Sequence, residues 1–129
     1  MTKKYFFLFP MILFLLWLLR TVPDFTQAAG KPGNIQAGME VHKKQCLRCH
    51  GEQGKGDGPG SKVLKTKPAD WTDAARMSSI TDNEMLRVIK EGGAAAGKSN
   101  LMPAFGAKLK DQEISDAIAF IRSLQKGKK

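Results

Sequence analysis

Both cysteines of this 129-residue chain fall within five consecutive residues, Cys46-Leu-Arg-Cys-His50. Two thiols and an imidazole on one turn suit a redox dithiol, half of a zinc site or the anchor of a large cofactor, so the surroundings must decide. Glycines at 51, 54, 56, 58 and 60, with Pro59, exclude regular structure downstream and specify a compact loop. Upstream, Asn34 is a good N-cap, and Ile35, Gly38, Met39 and Val41 mark one face of a helix whose other face carries Glu40, Lys43 and Lys44. The cysteines thus sit at or just past a helix end. A thioredoxin-like dithiol instead follows a strand and opens a helix. Zinc would have to recruit His42 beside Cys46, Cys49 and His50. Adjacent Cys and His on one ion are strained, and no second ligand pair stands at finger or ribbon spacing.

Thioether attachment uses all three groups. Two thiols on one turn can each bond one vinyl group of a haem, and His50, directly after Cys49, then reaches the iron as an axial ligand. The N-terminus agrees with this chemistry. Met1-Thr-Lys-Lys, an apolar run from Tyr5 to Leu19, Arg20 and a polar stretch to Ala29 form the three-part pattern of an export signal. Exported thiols that were not consumed would oxidise, and a bridge closing so small a loop would stabilise little. The apolar run is interrupted by Pro10 and is shorter than the ~20 residues that span a bilayer. Residues 1–28 are expected to be a signal peptide, with Thr26 and Ala28 before the cut; an uncleaved N-terminal membrane anchor is the alternative. Residues 29–129 are the exported domain.

Elsewhere the pattern is helical. Thr81 or Ser79 caps a helix with Asp82 and Glu84 in its first turn, Met85, Leu86, Val88 and Ile89 on its apolar face and Gly92 as its stop, over about 82–91. Ile114, Ala117, Ile118, Ile121 and Leu124, widened by Phe120, recur at helical spacing from Asp111 to about Gln125. Only short elements fit around Pro68, and 92–100 reads as a flexible loop. No alternating apolar segment is bounded by hairpin signals, so the class is all-α, with three to five short helices and long loops. So little regular structure in about 100 residues buries limited apolar surface, which a bound apolar cofactor would supplement.

From Gly30 onward, eighteen Lys and Arg face eleven Asp and Glu, a net +7. That surplus suits an acidic protein partner or an anionic membrane surface, and equally a solvated lysine-rich exterior. Nucleic acid is disfavoured, because export separates the chain from it and no aromatics interleave with the basic residues. For a second axial ligand Met102 leads: it follows a glycine-alanine stretch that lets the chain approach, and Pro103 restricts it. Met39 and Met85 fall on helices as core filler. Met77, outside regular structure, is the rival. His42, on the helix that carries Cys46, reads as an exposed histidine.

The runs CLRCHGEQGKGDGPG, KPADW, DNEMLRVIKEGG, LMPAFG and ISDAIAFIRSL, in that order from about Gly38 to Leu124, resemble the small monohaem class I cytochromes c of bacteria. The resemblance implies a cytochrome c-like fold wrapped around one covalently attached haem c, in the periplasm. It maps the methionine ligand onto Met102, the carbonyl that orients the axial histidine onto Pro59, and the crossing of first and last helices onto Gly38 and Phe120. Trp71 is expected to donate to a haem propionate or to pack simply, and Phe105 to line the pocket. The implied function is one-electron exchange between periplasmic redox partners, without catalysis, with acidic proteins docking at a haem edge ringed by lysines such as Lys62, Lys65, Lys98 or Lys108. The alternatives are the haem-bearing subunit of a periplasmic dehydrogenase or terminal oxidase, and a peroxidase-like or gas-sensing site with a displaceable methionine.

Overall fold

The computed structural model describes residues 31–125, and the export or anchor segment read for 1–28 lies outside them. Helix α1 (Ile35–Val41) starts where Asn34 Oδ1 accepts from the Ala37 N–H at 3.0 Å. It runs into a π turn (His42–Cys46), in which the Leu47 N–H reaches back five residues to the His42 carbonyl, and then into α2 (Leu47–His50). The widened turn inserts a residue just ahead of the paired thiols, a distortion common at functional sites. Gly51, at φ +79°, ends the run.

A 3-10 turn (Pro59–Val63) precedes α3 (Ala74–Ser78), which is capped by Asp73 accepting from the Arg76 N–H at 3.1 Å. Helix α4 (Asp82–Glu91) begins at Thr81, whose hydroxyl accepts from the Glu84 N–H at 3.1 Å, and stops at Gly92 at φ +88°. After a short 3-10 turn (Ala94–Ala96) comes α5 (Asp111–Ser123), opened by the Lys110 N–H donating to the Glu113 carboxylate at 2.8 Å. Among the described residues there is no strand, and the all-α expectation holds. Met77 corrects one detail: it lies inside α3 and is 2% exposed, because the Asp73 cap starts a short helix that tucks it into the core.

The first and last helices cross at small residues. A Cβ on Gly38 would collide with the Asp116 carbonyl oxygen and stand 2.9 Å from Phe120 Cβ, while one on Gly33 would strike the Ser115 carbonyl oxygen. Gly33, just ahead of the Asn34 cap, is therefore part of the packing. The buried Asp116 carboxylate accepts from the Asn34 N–H at 2.8 Å and from Gln112 Nε2 at 2.9 Å, so it is not stranded. Between the helices lies one apolar cluster of Trp71, Met77, Met85, Ile89 and Phe105 with Ile114, Ile118 and Ile121 of α5. Arg122 closes its edge, donating to the Met77 carbonyl at 2.9 Å, to the Ile80 carbonyl and to the Asp82 carboxylate at 2.8 Å. One side chain of α5 thereby ties down carbonyls at the end of α3 and just ahead of α4.

The obstacle to a side chain at position 38 is backbone, which has no rotamer to move. Gly38→Ala should destabilise the haem-loaded protein by about 1–3 kcal/mol, read from chemical denaturation followed by helical circular dichroism. An unchanged midpoint would mean the two helices separate at little cost.

Candidate functional site

The pentapeptide straddles the last residue of the π turn and α2, so local helical geometry turns Cys46, Cys49 and His50 out within one turn and a half. The glycine loop then folds back over it. The Gly56 N–H donates to the His50 carbonyl at 2.8 Å and the Gly54 N–H to the Gly51 carbonyl at 3.1 Å. A Cβ on Gly58 would come within 2.5 Å of the Leu47 and Arg48 carbonyl oxygens, so the chain passes there without room for a side chain. Continuing, the Trp71 N–H donates to the Gly54 carbonyl at 2.8 Å. This bond delivers the buried indole to His50: the two rings stack with centroids 4.1 Å apart and 19° from parallel.

Met102 arrives from the opposite end of the sequence. Its loop is pinned to the end of α4 by the Phe105 N–H on the Ile89 carbonyl and the Gly106 N–H on the Lys90 carbonyl, each 2.9 Å, and by the Gly93 N–H on the Met102 carbonyl at 3.0 Å. Met102 and Cys46 are half-buried and pack against the same apolar cluster, which also contains Trp71 and Phe105. The structure thus gathers Cys46, Trp71, Phe105 and Met102 on one cluster, with His50 stacked on Trp71. Cys49 is half-buried in α2. Pro59 is exposed at the start of its 3-10 turn, and the backbone oxygen facing the His50 imidazole is that of Ala69.

Burial sets the chemistry of these groups. It lowers the His50 imidazole to about 4, with a smaller push from His42, so at neutral pH the ring is uncharged and its lone pair is available. It raises the Cys46 thiol to about 11, helped by Cys49. Burial thus favours the protonated thiol at Cys46, the opposite of the lowered thiol that a reactive dithiol uses. Among the described residues, no cluster of three or more His, Cys, Asp or Glu is arranged to hold a bare metal ion.

A haem suits this donor set. The two thiols are free rather than bridged, and His50 Nδ1 is buried without a hydrogen-bond partner. The Met102 thioether packs against the same apolar cluster as Cys46, which contains the Trp71 and Phe105 rings. A cleft lined by Glu40, Lys44, Lys108, Glu113 and Asp116 contains none of the predicted site residues.

Two participants were not read from the sequence. Ala69 acts through its backbone, which no residue type announces. His42 is buried rather than exposed: it follows Gly38 by four residues on the face of α1 that meets α5, and its ring lies beside Trp71 and Phe120.

A family model described as Cytochrome c matches residues 35–125. The chain is 29% identical over 102 residues to the Cbb3-type cytochrome c oxidase subunit FixPc of Rhizobium leguminosarum bv. viciae, an alignment covering 79% of this chain and 32% of that protein. It is 28% identical over 101 residues to the gluconate 2-dehydrogenase cytochrome c subunit of Pantoea cypripedii, covering 74% and 22%. Among solved structures, the KustC0563 c-type cytochrome superposes with a TM-score of 0.56 at 25% identity, over 69% of this chain and 98% of that one. The chain accordingly spans about a third or less of the length of these curated relatives.

Proposed function

This chain belongs to the cytochrome c family, carrying covalently bound haem c for electron transfer, and from that premise we propose that it is a one-electron carrier with His50 and Met102 as axial ligands. The observation that carries the reading is the meeting of Cys46 and Met102, distant in sequence, on one buried apolar cluster whose Trp71 stacks on His50. When bound, the haem supplies a one-electron ferric/ferrous couple. Cys46 and Cys49 hold it through thioethers, which fixes its position relative to the ring of His50. The neutral imidazole of His50 is ready to ligate without first losing a proton. Met102 would hold the iron through a weak, uncharged thioether, which would compete with substrate or gas for it. Trp71 and Phe105 exclude water, and this low-dielectric wall disfavours extra positive charge, favouring the reduced form. Pro59 and Ala69 belong to the two segments that flank the ligand loop, and either carbonyl can orient a ligated His50.

The exported domain, residues 29–129, works in the periplasm with acidic redox proteins, and it transfers electrons without catalysing a substrate reaction. A second reading is favoured by the relatives' names, which are those of oxidase and dehydrogenase subunits: the domain serves as the haem-bearing member of such a complex. Among the described residues no helix is long and apolar enough to cross a membrane. Detergent-free extraction followed by size exclusion separates the two, since a carrier elutes at the mass of the single domain and a subunit does not.

Denaturing the purified protein and recording a pyridine haemochrome spectrum should find haem still on the chain with both vinyl groups saturated. The double variant Cys46→Ser, Cys49→Ser should release all of it, and extractable haem in the wild type would sink the proposal. The reduced wild-type protein should not bind carbon monoxide promptly, whereas Met102→Ala should bind it within mixing time. An unchanged ligand-field spectrum in Met102→Ala would remove Met102 from the iron.

A further inference from the structure

Packing alone does not account for the residue at position 42. His42 is 2% exposed, its ring centroid 5.1 Å from Phe120 and 5.6 Å from Trp71, which it meets edge-on at 65°. Its Nε2 is buried with no hydrogen-bond partner, while the Gly51 carbonyl accepts from the ring, so the donor is Nδ1. A phenyl group would meet the same two aromatic neighbours without stranding a nitrogen, and a purely apolar contact would prefer it. What imidazole adds is one N–H aimed at the carbonyl of the residue immediately after His50. A buried choice that violates the local packing rule in this way points to a role at the site.

The contacts of His42 converge on the ligand from two directions. Gly51 continues the backbone of His50 and sits at φ +79°, where the chain turns sharply. Trp71, supported on its edge by His42, presents its face to the His50 ring. We propose that His42 is a positioning residue for His50: its hydrogen bond to Gly51 and its edge contact with Trp71 together set the plane of the axial imidazole. The proposal rests on the reading of His50 as an iron ligand. His42 acts only through Gly51 and Trp71, from the point where α1 passes into the π turn. The plane of an axial imidazole governs the asymmetry of a low-spin ferric centre, and hydrogen bonds one step behind a ligand tune its potential.

The test uses the full haem-loaded chain carrying His42→Phe or His42→Asn. Phenylalanine keeps the ring packing and loses the donor; asparagine loses the ring but retains an amide N–H near the Nδ1 position. His42→Phe should melt at or above the wild-type temperature, yet show displaced ferric electron paramagnetic resonance g-values and displaced hyperfine-shifted His50 ring protons. Its equilibrium with a redox dye should change severalfold. His42→Asn, though less stable, should return the g-values and the dye equilibrium toward wild type. Wild-type spectra and dye equilibrium in His42→Phe would overturn the proposal and leave His42 as packing, as would an asparagine variant displaced as far as the phenylalanine one. Should His42→Phe fail to mature, His42→Asn decides alone, near-wild-type spectra supporting the proposal and displaced spectra overturning it. Wild-type protein that releases its haem on denaturation, or lacks an imidazole-ligated spectrum, overturns the underlying reading instead, and is recognised before any variant is made.

Discussion

The stack of Trp71 on His50, 4.1 Å between centroids, is the contact on which the remainder of the site depends. His50 ends a short helix and is followed by a glycine-rich loop, so the chain that leaves it offers it little wall. The indole supplies that wall, and reaches it because the Trp71 N–H is tied to the Gly54 carbonyl. Gly54 is at φ +71°, and a Cβ there would stand 2.7 Å from the Trp71 ring, so conformation and clearance both require glycine. Stacked aromatic pairs contribute roughly 0.5–1.5 kcal/mol beyond the area they bury, enough to hold a ring orientation though not a fold. Trp71 also belongs to the central cluster, which links the ring of His50 mechanically to α4, to α5 and to the Met102 loop.

That linkage needs the helices to hold still, and close backbone approach is how a domain this small arranges it. With Gly38 on the Asp116 carbonyl and Gly33 on the Ser115 carbonyl, α1 and α5 approach further than side chains would permit. Arg122 extends the grip of α5 to the far side by binding carbonyls of Met77 and Ile80. Cys46 and Met102 reach the edge of the cluster only partly buried. A covalently held apolar ring system enlarges the buried surface where the polypeptide supplies least.

Local signals were the legible part of the fold. Asn34, Thr81 and Gly92 announce helix ends by side-chain and backbone chemistry confined to one turn, and the stripe from Ile114 to Ile121 repeats often enough to define α5. The pentapeptide was legible for the same reason: its chemistry is complete within five residues. Met77 was misplaced because α3 is too short to show a period, and its cap, Asp73, is one of several polar residues in that stretch. His42 was read as exposed although it lies four residues from Gly38 on the same helix face, because the Trp71 and Phe120 rings that bury it come from distant segments. Gly33 resembles any linker glycine until α5 is laid against it. For these two the missing information was long-range: which segment would come to lie alongside.

Charge is sorted by the same long-range contacts. Lys98 pairs with Glu84 at 2.9 Å, Lys90 with Asp111 at 2.6 Å and Arg122 with Asp82 at 2.8 Å. Exposed pairs of this kind add only about 0–1 kcal/mol to stability, but each removes a positive charge from the field seen by an approaching protein. Lys98 therefore contributes less to attracting an acidic partner than its sequence position implied. Lys55, Lys62, Lys65 and Lys67 are exposed and form no ion pair among the described residues, and Val63, between Lys62 and Lys65 in sequence, is 86% exposed. Unpaired cations with an exposed apolar residue among them in sequence suit fast, weak docking, because charge guides the encounter and a small dry contact lets it end. Under the electron-transfer reading, these residues lie on the polypeptide that leads directly out of Cys49 and His50, so steering charge and redox centre are carried by one continuous stretch of chain.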